Sequence, residues 1–337
     1  MFKKDKEKKP LVSVILSSYN HEEFIEKAIF SVLKQSYEKL ELIVIDDGST
    51  DRTPEKIKKI HDSRIQRIFL KHNREIHPRN LGLRLAKGTY VAFQNSDDEW
   101  KDDKLEKQIY ILENKKNIVA CFTGVEFIDK ESMPLQKSWA HGLFCTKNIS
   151  RSAWIRRFFD SGNCLCLPSS LIRKESIRMT GGFRGSLIQL SDFDLWVRLI
   201  LLGDFHIINE PLIKMRILKG KNVSRPDVWN MRRVKIEFSE ILERYAQNPV
   251  HTEIKKAFAN VLPWRAHSYA IILAGLVRYA WSLNSPIHQL FANRLMSKLI
   301  DNSLYRKEII DVYGIGIIHE FITHRGELEL TIKKKKI

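Results

Sequence analysis

At residues 40–49 the chain reads LELIVIDDGS, a mostly apolar run that ends in two aspartates, a glycine and a serine. A short apolar run of this kind is typical of a strand buried on both faces, and Asp-Asp-Gly-Ser is a turn signal. Parallel sheets are built from such strands, and their ligands gather at the carboxyl ends of the strands. The stretch therefore predicts one strand of a parallel sheet, with polar side chains at the ligand-binding edge.

Similar units lie on both sides of this strand. The run VSVIL at residues 12–16 precedes a helical pattern at 22–35. Further strand patterns occupy residues 64–70 and 89–94, and a helical pattern lies between them at 79–86. Strands that alternate with helices pair in parallel through right-handed crossovers. We therefore expect an α/β fold in the N-terminal part of the chain.

The pattern changes further along the chain. Strand and helix signals are mixed between residues 118 and 215, and helical patterns dominate after Pro226. We expect a basic tail at residues 1–10, an α/β domain at 11–222, and a mainly helical region at 223–337 that ends in a second basic tail.

Cysteine spacing and the lack of long apolar segments bear on the compartment. The 337 residues include four cysteines, none with the spacing of a zinc site or a CxxC redox motif. A chain of this length can bury a core that does not need disulfides. No secretory signal is apparent, and no apolar run reaches the ~20 residues that a bilayer requires. We expect a cytoplasmic protein, either free or held peripherally on the inner face of the membrane.

The net charge of +17 calls for a negatively charged partner. An anionic membrane surface, a nucleic acid and a phosphorylated substrate all qualify. Residues 264–294 carry arginines spaced among apolar positions, which suits an amphipathic helix on an anionic membrane. A packed helical appendage is the alternative for the same segment.

Two acidic clusters follow strands of the predicted sheet. Asp46-Asp47-Gly48-Ser49 follows the second strand, and its carboxylates could bind a ribose or a base edge; a helix-capping turn is the alternative. The cluster NSDDE at residues 95–99 follows the fourth strand. Its oxygens suit Mg²⁺ or Mn²⁺, which in turn would hold a diphosphate, whereas an ordinary acidic loop is the alternative.

Together with three further segments, these clusters resemble glycosyltransferase family 2, whose fold is called GT-A. The segments, in chain order, are VSVILSSYN, ELIVIDDGSTD, HPRNLGL, GTYVAFQNSDDEW and LSDFDLWVRL. The resemblance covers approximately residues 11–220 and points to the bacterial envelope polysaccharide type. It implies a Rossmann-like, mixed but mostly parallel sheet flanked by helices, here with a helical C-terminal appendage.

The resemblance also implies which residues bind the nucleotide-sugar donor. Ser17 and Tyr19 are similar to residues that touch the base, and Asp47 resembles the carboxylate on the uracil or ribose side. Arg79 is similar to a basic residue near the diphosphate. Asp97 matches the donor-ribose position of the acidic motif.

Metal binding and catalysis are carried over in the same way. Asp98 is similar to the residue that coordinates the divalent metal, Mg²⁺ or Mn²⁺. Asp192 matches the catalytic base, which takes the proton of the acceptor hydroxyl as the hydroxyl attacks the sugar. A helix-capping role is the alternative for Asp192, and Asp194 ranks second as the base. One displacement assisted by one base inverts the anomeric configuration.

The chain departs from the family pattern at four positions. Asn95 and Ser191 stand where many relatives carry an acidic residue, and Glu75 stands where a glycine is common. Leu218 lies near the position of a histidine that helps to hold the metal or the diphosphate in many members. The last departure predicts weakened metal binding.

Five tryptophans have two interpretations, packing or stacking on a sugar ring. Packing is the first interpretation for all of them, and the residue next to the acidic motif is the best candidate for stacking. The five are Trp100, Trp139, Trp154, Trp196 and Trp229.

The sequence therefore predicts a non-processive, inverting glycosyltransferase that uses a UDP-sugar and a carbohydrate or lipid-linked acceptor in envelope polysaccharide or glycolipid synthesis. A nucleotidyltransferase is the enzymatic alternative, but the chain lacks a glycine-rich triphosphate loop near its N-terminus. A basic nucleic-acid-binding protein is the alternative from another class. Acidic clusters at the ligand edge would repel a nucleic acid, so we expect no nucleic acid among the partners.

Overall fold

The computed structural model describes residues 9–71, 77–144, 147–218, 227–247, 251–263 and 267–334. Most of the two predicted tails, the departure at Glu75 and the predicted domain boundary at residue 222 lie outside these residues.

One sheet of eight strands is formed by the described residues. The strands are β1 Val12–Ser18, β2 Leu40–Asp46, β3 Ile65–Phe69, β4 Tyr90–Asn95, β5 Glu99–Trp100, β6 Ile118–Ile128, β7 Leu171–Arg173 and β8 Asp204–Arg216. A 3₁₀ turn at Leu167–Ser169 precedes β7.

Helices connect these strands and continue to the C-terminal end of the described chain. They are α1 Ile25–Leu33, α2 Thr53–Lys59, α3 Pro78–Leu85, α4 Lys104–Asn114, α5 Arg151–Ser161, α6 Lys174–Thr180, α7 Ser191–Leu199, α8 Val228–Gln247, α9 Thr252–Ala257, α10 Tyr269–Ser282, α11 Pro286–Asp301, α12 Ser303–Tyr313 and α13 Gly316–Lys334.

The strand order is β3-β2-β1-β4-β7-β6-β8-β5. The first four strands in this order pair in parallel, whereas β7 and β5 run antiparallel to their neighbours. β6 and β8 pair in parallel with each other. The predicted α/β class with a mixed, mostly parallel sheet is therefore confirmed. The chain leaves β1 toward β2 and later returns to the other side of β1 as β4, which creates the kind of switch point where open α/β sheets bind ligands.

Close packing holds the first helices on this sheet. Helix α1 buries Ile25, Ala28, Ile29 and Val32 on one side. Helix α3 approaches β1 so closely that a Cβ at Gly82 would lie 2.5 Å from the side chain of Ile15. Only a residue without a side chain allows this approach, so α3 is held tightly against β1.

The chain divides into two compact units. Unit 1 comprises residues 1–149 and 164–225, and unit 2 comprises residues 150–163 and 226–337. Helix α5 thus belongs with the C-terminal helices, although it falls inside the predicted domain at 11–222. The reason is visible in its contacts: Tyr245 of α8 donates a hydrogen bond to the Ile155 carbonyl, and His288 of α11 bonds the Phe159 carbonyl.

Helix α10 lies inside the segment for which a membrane-surface helix was one of two interpretations. Its residues 270–277 are all buried within the structure. The packed alternative is therefore the one that the structure supports for α10. In the described part of the chain, no helix combines the length and the apolar character needed to cross a membrane.

Candidate functional site

A cavity of about 490 Å³ lies in unit 1 where β1, β2, β4 and β8 end. Because these strands run in the same direction, their carboxyl ends meet at one edge of the sheet. The cavity is lined by Ser17, Ser18, Tyr19, His21, Asp47, His77, Pro78, Arg79, Asn95, Ser96, Asp97, Asp98, Met215 and Arg216.

The turn that follows β2 and begins at the cavity residue Asp47 is fixed by the buried Asp46. Its carboxylate accepts hydrogen bonds from the Ser18 hydroxyl (2.9 Å) and from the Ser49 amide (2.9 Å) and hydroxyl (2.6 Å). Gly48 between them has a φ of 74°, which favours glycine. Asp46 thus shapes the turn, and the next residue, Asp47, lines the cavity.

A second set of bonds joins the loops that follow β1 and β2. Asn20, with a φ of 51°, accepts a hydrogen bond from the Thr50 amide at 2.8 Å, and its own amide donates to the Ser49 hydroxyl. The His21 amide donates to the Thr53 hydroxyl at 3.0 Å. The two loops therefore form one rigid wall, and Tyr19, which is 43% exposed, stands at its outer side.

The acidic loop after β4 forms the opposite wall. Both oxygens of the buried Asp98 carboxylate are engaged: the Arg216 amide donates to Oδ1 and the Asn95 side-chain amide to Oδ2, each at 2.9 Å. An aspartate at position 95 would lack this donor and would repel Asp98. The departure at Asn95 thus has a local role in holding the loop.

Arg216, the last residue of β8, holds the acidic loop in place. Its buried guanidinium donates to the Asp97 carbonyl and to Glu99, and it also bonds the Ser132 hydroxyl. Further bonds reach the carbonyls of the turn at residues 129–130. A buried cation with this many acceptors fixes the acidic loop relative to β8.

The adjacent carboxylates of Asp97 and Asp98 repel each other in a largely buried environment. Burial and the neighbouring Asp97 charge raise the pKa of Asp98 to about 8. Burial also raises the pKa of Asp97, and the charges of His21 and Arg216 oppose this effect. His21 is held nearby because its Nδ1 bonds the Ser96 hydroxyl at 2.7 Å. A cation next to the two carboxylates would relieve their repulsion.

These residues fit a divalent cation only if the ligand supplies further oxygens. No group of three His, Cys, Asp or Glu side chains able to hold a metal occurs among the residues that the structure describes. Leu218 is a buried apolar side chain and offers no ligand. Mg²⁺ is commonly held by one or two carboxylates together with substrate phosphates, and the acidic loop matches that arrangement.

The third wall is built by the start of α3. Arg79 lies over the Phe183 ring at 5.8 Å, and His77 stacks on the same ring with an interplanar angle of 3°. The Asn80 side-chain amide fixes Phe183: its Nδ2 donates to the Phe183 carbonyl at 2.7 Å, and its Oδ1 accepts from the Phe183 backbone amide at 2.9 Å. Burial lowers the pKa of Arg79, and the negative charge of Asp192 opposes this effect.

Asp192 lies in the first turn of α7 and is half-buried. Asp192 does not line the cavity. Its charge nevertheless acts on Arg79, which does line the cavity. Burial raises the pKa of the Cys166 thiol, and the charges of Asp98 and Asp192 raise it further. The charge of Asp192 thus acts on one residue of the cavity wall, and its catalytic role stays a prediction.

Asp194 has a different environment. It is fully buried and pairs with Arg198 at 2.5 Å and with Arg184 at 3.5 Å. Arg198 also donates to the carbonyls of Thr180 and Gly182. Asp194 thus ties α7 to the end of α6, and these pairs leave it poorly suited to act as a base.

A pH effect on stability follows from His77. Burial, together with the charge of Arg79, lowers the pKa of His77 to about 4 from 6.5. Between these values the unfolded chain binds a proton that the folded chain does not, so the free energy of unfolding falls as the pH is lowered. We expect the Tm to drop between pH 6.5 and pH 4 and His77→Phe to reduce that drop. The exposed His319 gives the control His319→Phe, and an equal drop in all three proteins would contradict the prediction.

Of the seven residues predicted from sequence, six line one cavity: Ser17, Tyr19, Asp47, Arg79, Asp97 and Asp98. Their individual roles stay predictions. The sequence assigned no site role to His21, His77 or Arg216, although His21 directly follows the VSVILSSYN segment and this position was a usable signal. Trp100, the best candidate for sugar stacking, is buried, and Lys104 covers its ring at 3.8 Å.

Comparison with known proteins agrees with this geometry. The profile of "Glycosyl transferase family 2" matches residues 13–177. A Bacillus subtilis protein, "Putative teichuronic acid biosynthesis glycosyltransferase TuaG", is 42% identical over 132 residues, which are 38% of this chain and 52% of that protein. The Escherichia coli protein WfaP, "UDP-Glc:alpha-D-GlcNAc-diphosphoundecaprenol beta-1,3-glucosyltransferase", is 43% identical over 109 residues, 32% of this chain and 43% of that protein. The matched segments thus span about half of these relatives.

The fold has counterparts among solved structures. The mannosyltransferase PcManGT from Pyrobaculum calidifontis, solved with GDP-Man and Mn²⁺, aligns with a TM-score of 0.53 and 19% identity. The alignment covers 94% of this chain and 88% of that one. The sheet and its flanking helices therefore have the GT-A fold, as the sequence predicts. The profile match thus identifies residues 13–177 as a glycosyltransferase family 2 domain.

Proposed function

We propose that this glycosyltransferase is inverting and non-processive, and that it transfers a sugar from a UDP-sugar to the hydroxyl of a carbohydrate or lipid-linked acceptor. We further propose that it acts in envelope polysaccharide or glycolipid synthesis, on the cytoplasmic side and either free or peripheral at the membrane. The name of TuaG supports a role in polysaccharide synthesis, and the name of WfaP, which contains a diphosphoundecaprenol-linked sugar, supports a lipid-linked acceptor.

The observation that carries the proposal is the convergence of carboxylates and one arginine on one cavity. Asp47, Asp97 and Asp98 come from two separate loops, and Arg79 faces them from the start of α3. A nucleoside diphosphate needs both kinds of group: acceptors for its ribose hydroxyls and cations for its phosphates. We assign the ribose and base side to Asp47, Ser17 and Tyr19, and the diphosphate side to Arg79.

The proposed base is Asp192. A carboxylate can accept the proton of the acceptor hydroxyl while that hydroxyl attacks the anomeric carbon and the bond to the diphosphate breaks. The charge of Asp192 acts on Arg79, a residue of the cavity wall, which supports a role for Asp192 close to the donor. Attack on the face opposite the leaving group inverts the anomeric centre.

We transfer the proposed metal contact from Asp98 to Asp97. Both oxygens of Asp98 already accept hydrogen bonds within unit 1, whereas the half-buried Asp97 lines the cavity beside His21. When bound with the donor, Mg²⁺ or Mn²⁺ would offset the negative charge of the diphosphate. Arg79, at the start of α3, would add a further positive charge to the cavity.

The proposal is tested with a panel of UDP- and GDP-sugars. We expect one UDP-sugar to raise the Tm in the presence of Mn²⁺. At a 100- to 1,000-fold excess of donor over its Kd, the free energy of unfolding should rise by roughly 3–4 kcal/mol. The same donor should support transfer to a lipid-linked acceptor, with an inverted anomeric product by NMR. Retention of configuration, or a response to nucleoside triphosphates alone, would overturn the proposal; the latter would favour a nucleotidyltransferase.

Asp97 and Asp98 are expected to differ when replaced by asparagine. Asp97→Asn should remove the part of donor affinity that a chelator abolishes in the unchanged protein, because the metal contact is lost. Asp98→Asn should mainly alter the Tm without donor, because Asp98 bonds the protein itself. Isothermal titration with and without chelator, together with thermal unfolding, measures both effects. Chelator-sensitive binding that survives in Asp97→Asn but disappears in Asp98→Asn would restore the original assignment.

A further inference from the structure

The outer face of α8 exposes apolar side chains to solvent. Trp229 is 72% exposed, and Val228, Met231 and Ile236 are between 52% and 63% exposed. All four lie in the first nine residues of a helix whose later turns bury Phe238, Ile241, Leu242 and Tyr245. The interpretation of Trp229 as a packing residue was therefore wrong. Large apolar side chains that cluster at the surface mark interaction sites.

Basic side chains are interleaved with these apolar residues. Arg232 lies 5.5 Å from the Trp229 ring, and Lys235 is exposed one turn further along. Arg233 is half-buried beside them. Within the described ranges of the chain, none of these three cations forms an ion pair with an acidic side chain. The acidic Glu237 in the next turn is buried and does not share the outer face.

This combination fits one kind of partner better than others. A bilayer interface accepts aliphatic and tryptophan side chains at the headgroup boundary, and anionic headgroups bind the lysine and arginine ends. A nucleic acid would stack on Trp229 but would gain little from Val228, Met231 and Ile236. A second protein chain would more commonly leave lysine out of the centre of the contact.

The geometry points to the N-terminal turns of α8, residues 228–236, as a surface that docks onto an anionic membrane. Trp229 and Ile236 insert at the headgroup boundary, while Arg232 and Lys235 contact anionic headgroups. This surface replaces α10, which is buried, as the membrane-facing element of the chain. Docking needs no donor, so its failure and a failure of the proposed sugar transfer are distinguishable.

Sedimentation with lipid vesicles tests the inference on the full chain. We expect binding to vesicles of equal parts phosphatidylglycerol and phosphatidylcholine, weak binding to pure phosphatidylcholine, and loss of binding at high salt. Trp229→Ser with Ile236→Ser should weaken partitioning roughly tenfold, and Arg232→Glu with Lys235→Glu at least as much, since each cation contributes about fivefold near an anionic surface.

A matched control lies on α12, where Leu304 is 76% exposed and Lys307 is exposed three residues later. Leu304→Ser with Lys307→Glu should change partitioning less than about twofold. The inference would be overturned if the α12 control lost as much vesicle binding as the α8 double variants, or if the α8 double variants lost none. A change in sedimentation coefficient without vesicles in the α8 variants would also overturn it, because such a change would indicate contact between copies of the chain. Thermal unfolding of each variant separates misfolding from lost binding.

Discussion

Asp192→Asn is expected to lower kcat by roughly 10²- to 10⁴-fold, because an amide cannot take the proton of the attacking hydroxyl. Donor binding should change little. The substitution keeps the shape of the side chain and an oxygen that can accept the Phe193 amide bond, which is 2.7 Å long in the structure. Steady-state kinetics with a saturating acceptor measures kcat, and calorimetric titration measures the donor Kd.

The neighbouring Asp194 supplies a matched control on the same helix. Asp194→Asn removes the charge that faces Arg198 and Arg184, and loss of one partner from a buried pair typically costs about 3–5 kcal/mol of stability. The two variants should therefore differ in what they lose. Asp192→Asn should have a much lower kcat and a nearly unchanged Tm, whereas Asp194→Asn should have a lower Tm. Near-normal turnover in a folded Asp192→Asn protein would show that another group is the base.

Arg216→Met is expected to destabilise the protein by about 3–5 kcal/mol and to weaken donor binding. Methionine fills much of the space of the arginine stem, but it removes the cation that pairs with Glu99 and the donor to the carbonyls of Asp97 and Asp129. The acidic loop would then lose its fixed position against β8. Chemical denaturation measures the first effect, and donor titration measures the second.

Arg278 provides the comparison for this substitution. It pairs with Glu320 at 3.2 Å, and both side chains are nearly half exposed. Arg278→Met should therefore cost less than about 1 kcal/mol, as exposed ion pairs usually do. The stability loss of Arg216→Lys should lie between those of Arg278→Met and Arg216→Met, because one ammonium group cannot reach all the acceptors that a guanidinium group reaches. An Arg216→Met protein as stable as Arg278→Met would refute the organising role of this residue.

Local patterns in the sequence sufficed for the sheet and for most of the cavity wall. The strand pattern at residues 40–45 and the turn after it depend on neighbours only, and the parallel order follows from the alternation with helices. Since carboxyl ends of parallel strands share an edge, Asp47 and Asp97 could be expected to meet. The segment PSSLIRKESIRMTGGF at residues 168–183 likewise contains a strand pattern, a short helical pattern and a Gly-Gly pair, and the structure has β7, α6 and the Gly181–Gly182 turn there.

Long-range pairing was beyond the reach of such patterns. Arg216 meets the acidic loop through contacts that span 117 to 119 residues, and nothing near Arg216 in the sequence signals that partner. The hydrogen bond to Oδ1 of Asp98 depends on the same pairing, whereas the bond to Oδ2 comes from the nearby Asn95. Helix α5 has an ordinary amphipathic pattern, and its membership of unit 2 depends on residues such as Tyr245 and His288 far along the chain.

The division of labour between Asp46 and Asp47 has a practical consequence for altering donor choice. The two aspartates are chemically identical, but Asp46 holds the turn, whereas Asp47 lines the cavity that we propose binds the nucleotide. A mutant library that randomises Asp47 and Tyr19 while keeping Asp46, Ser18 and Ser49 constant would retain the shape of the turn. Screening such a library samples new nucleotide preferences on an unchanged framework.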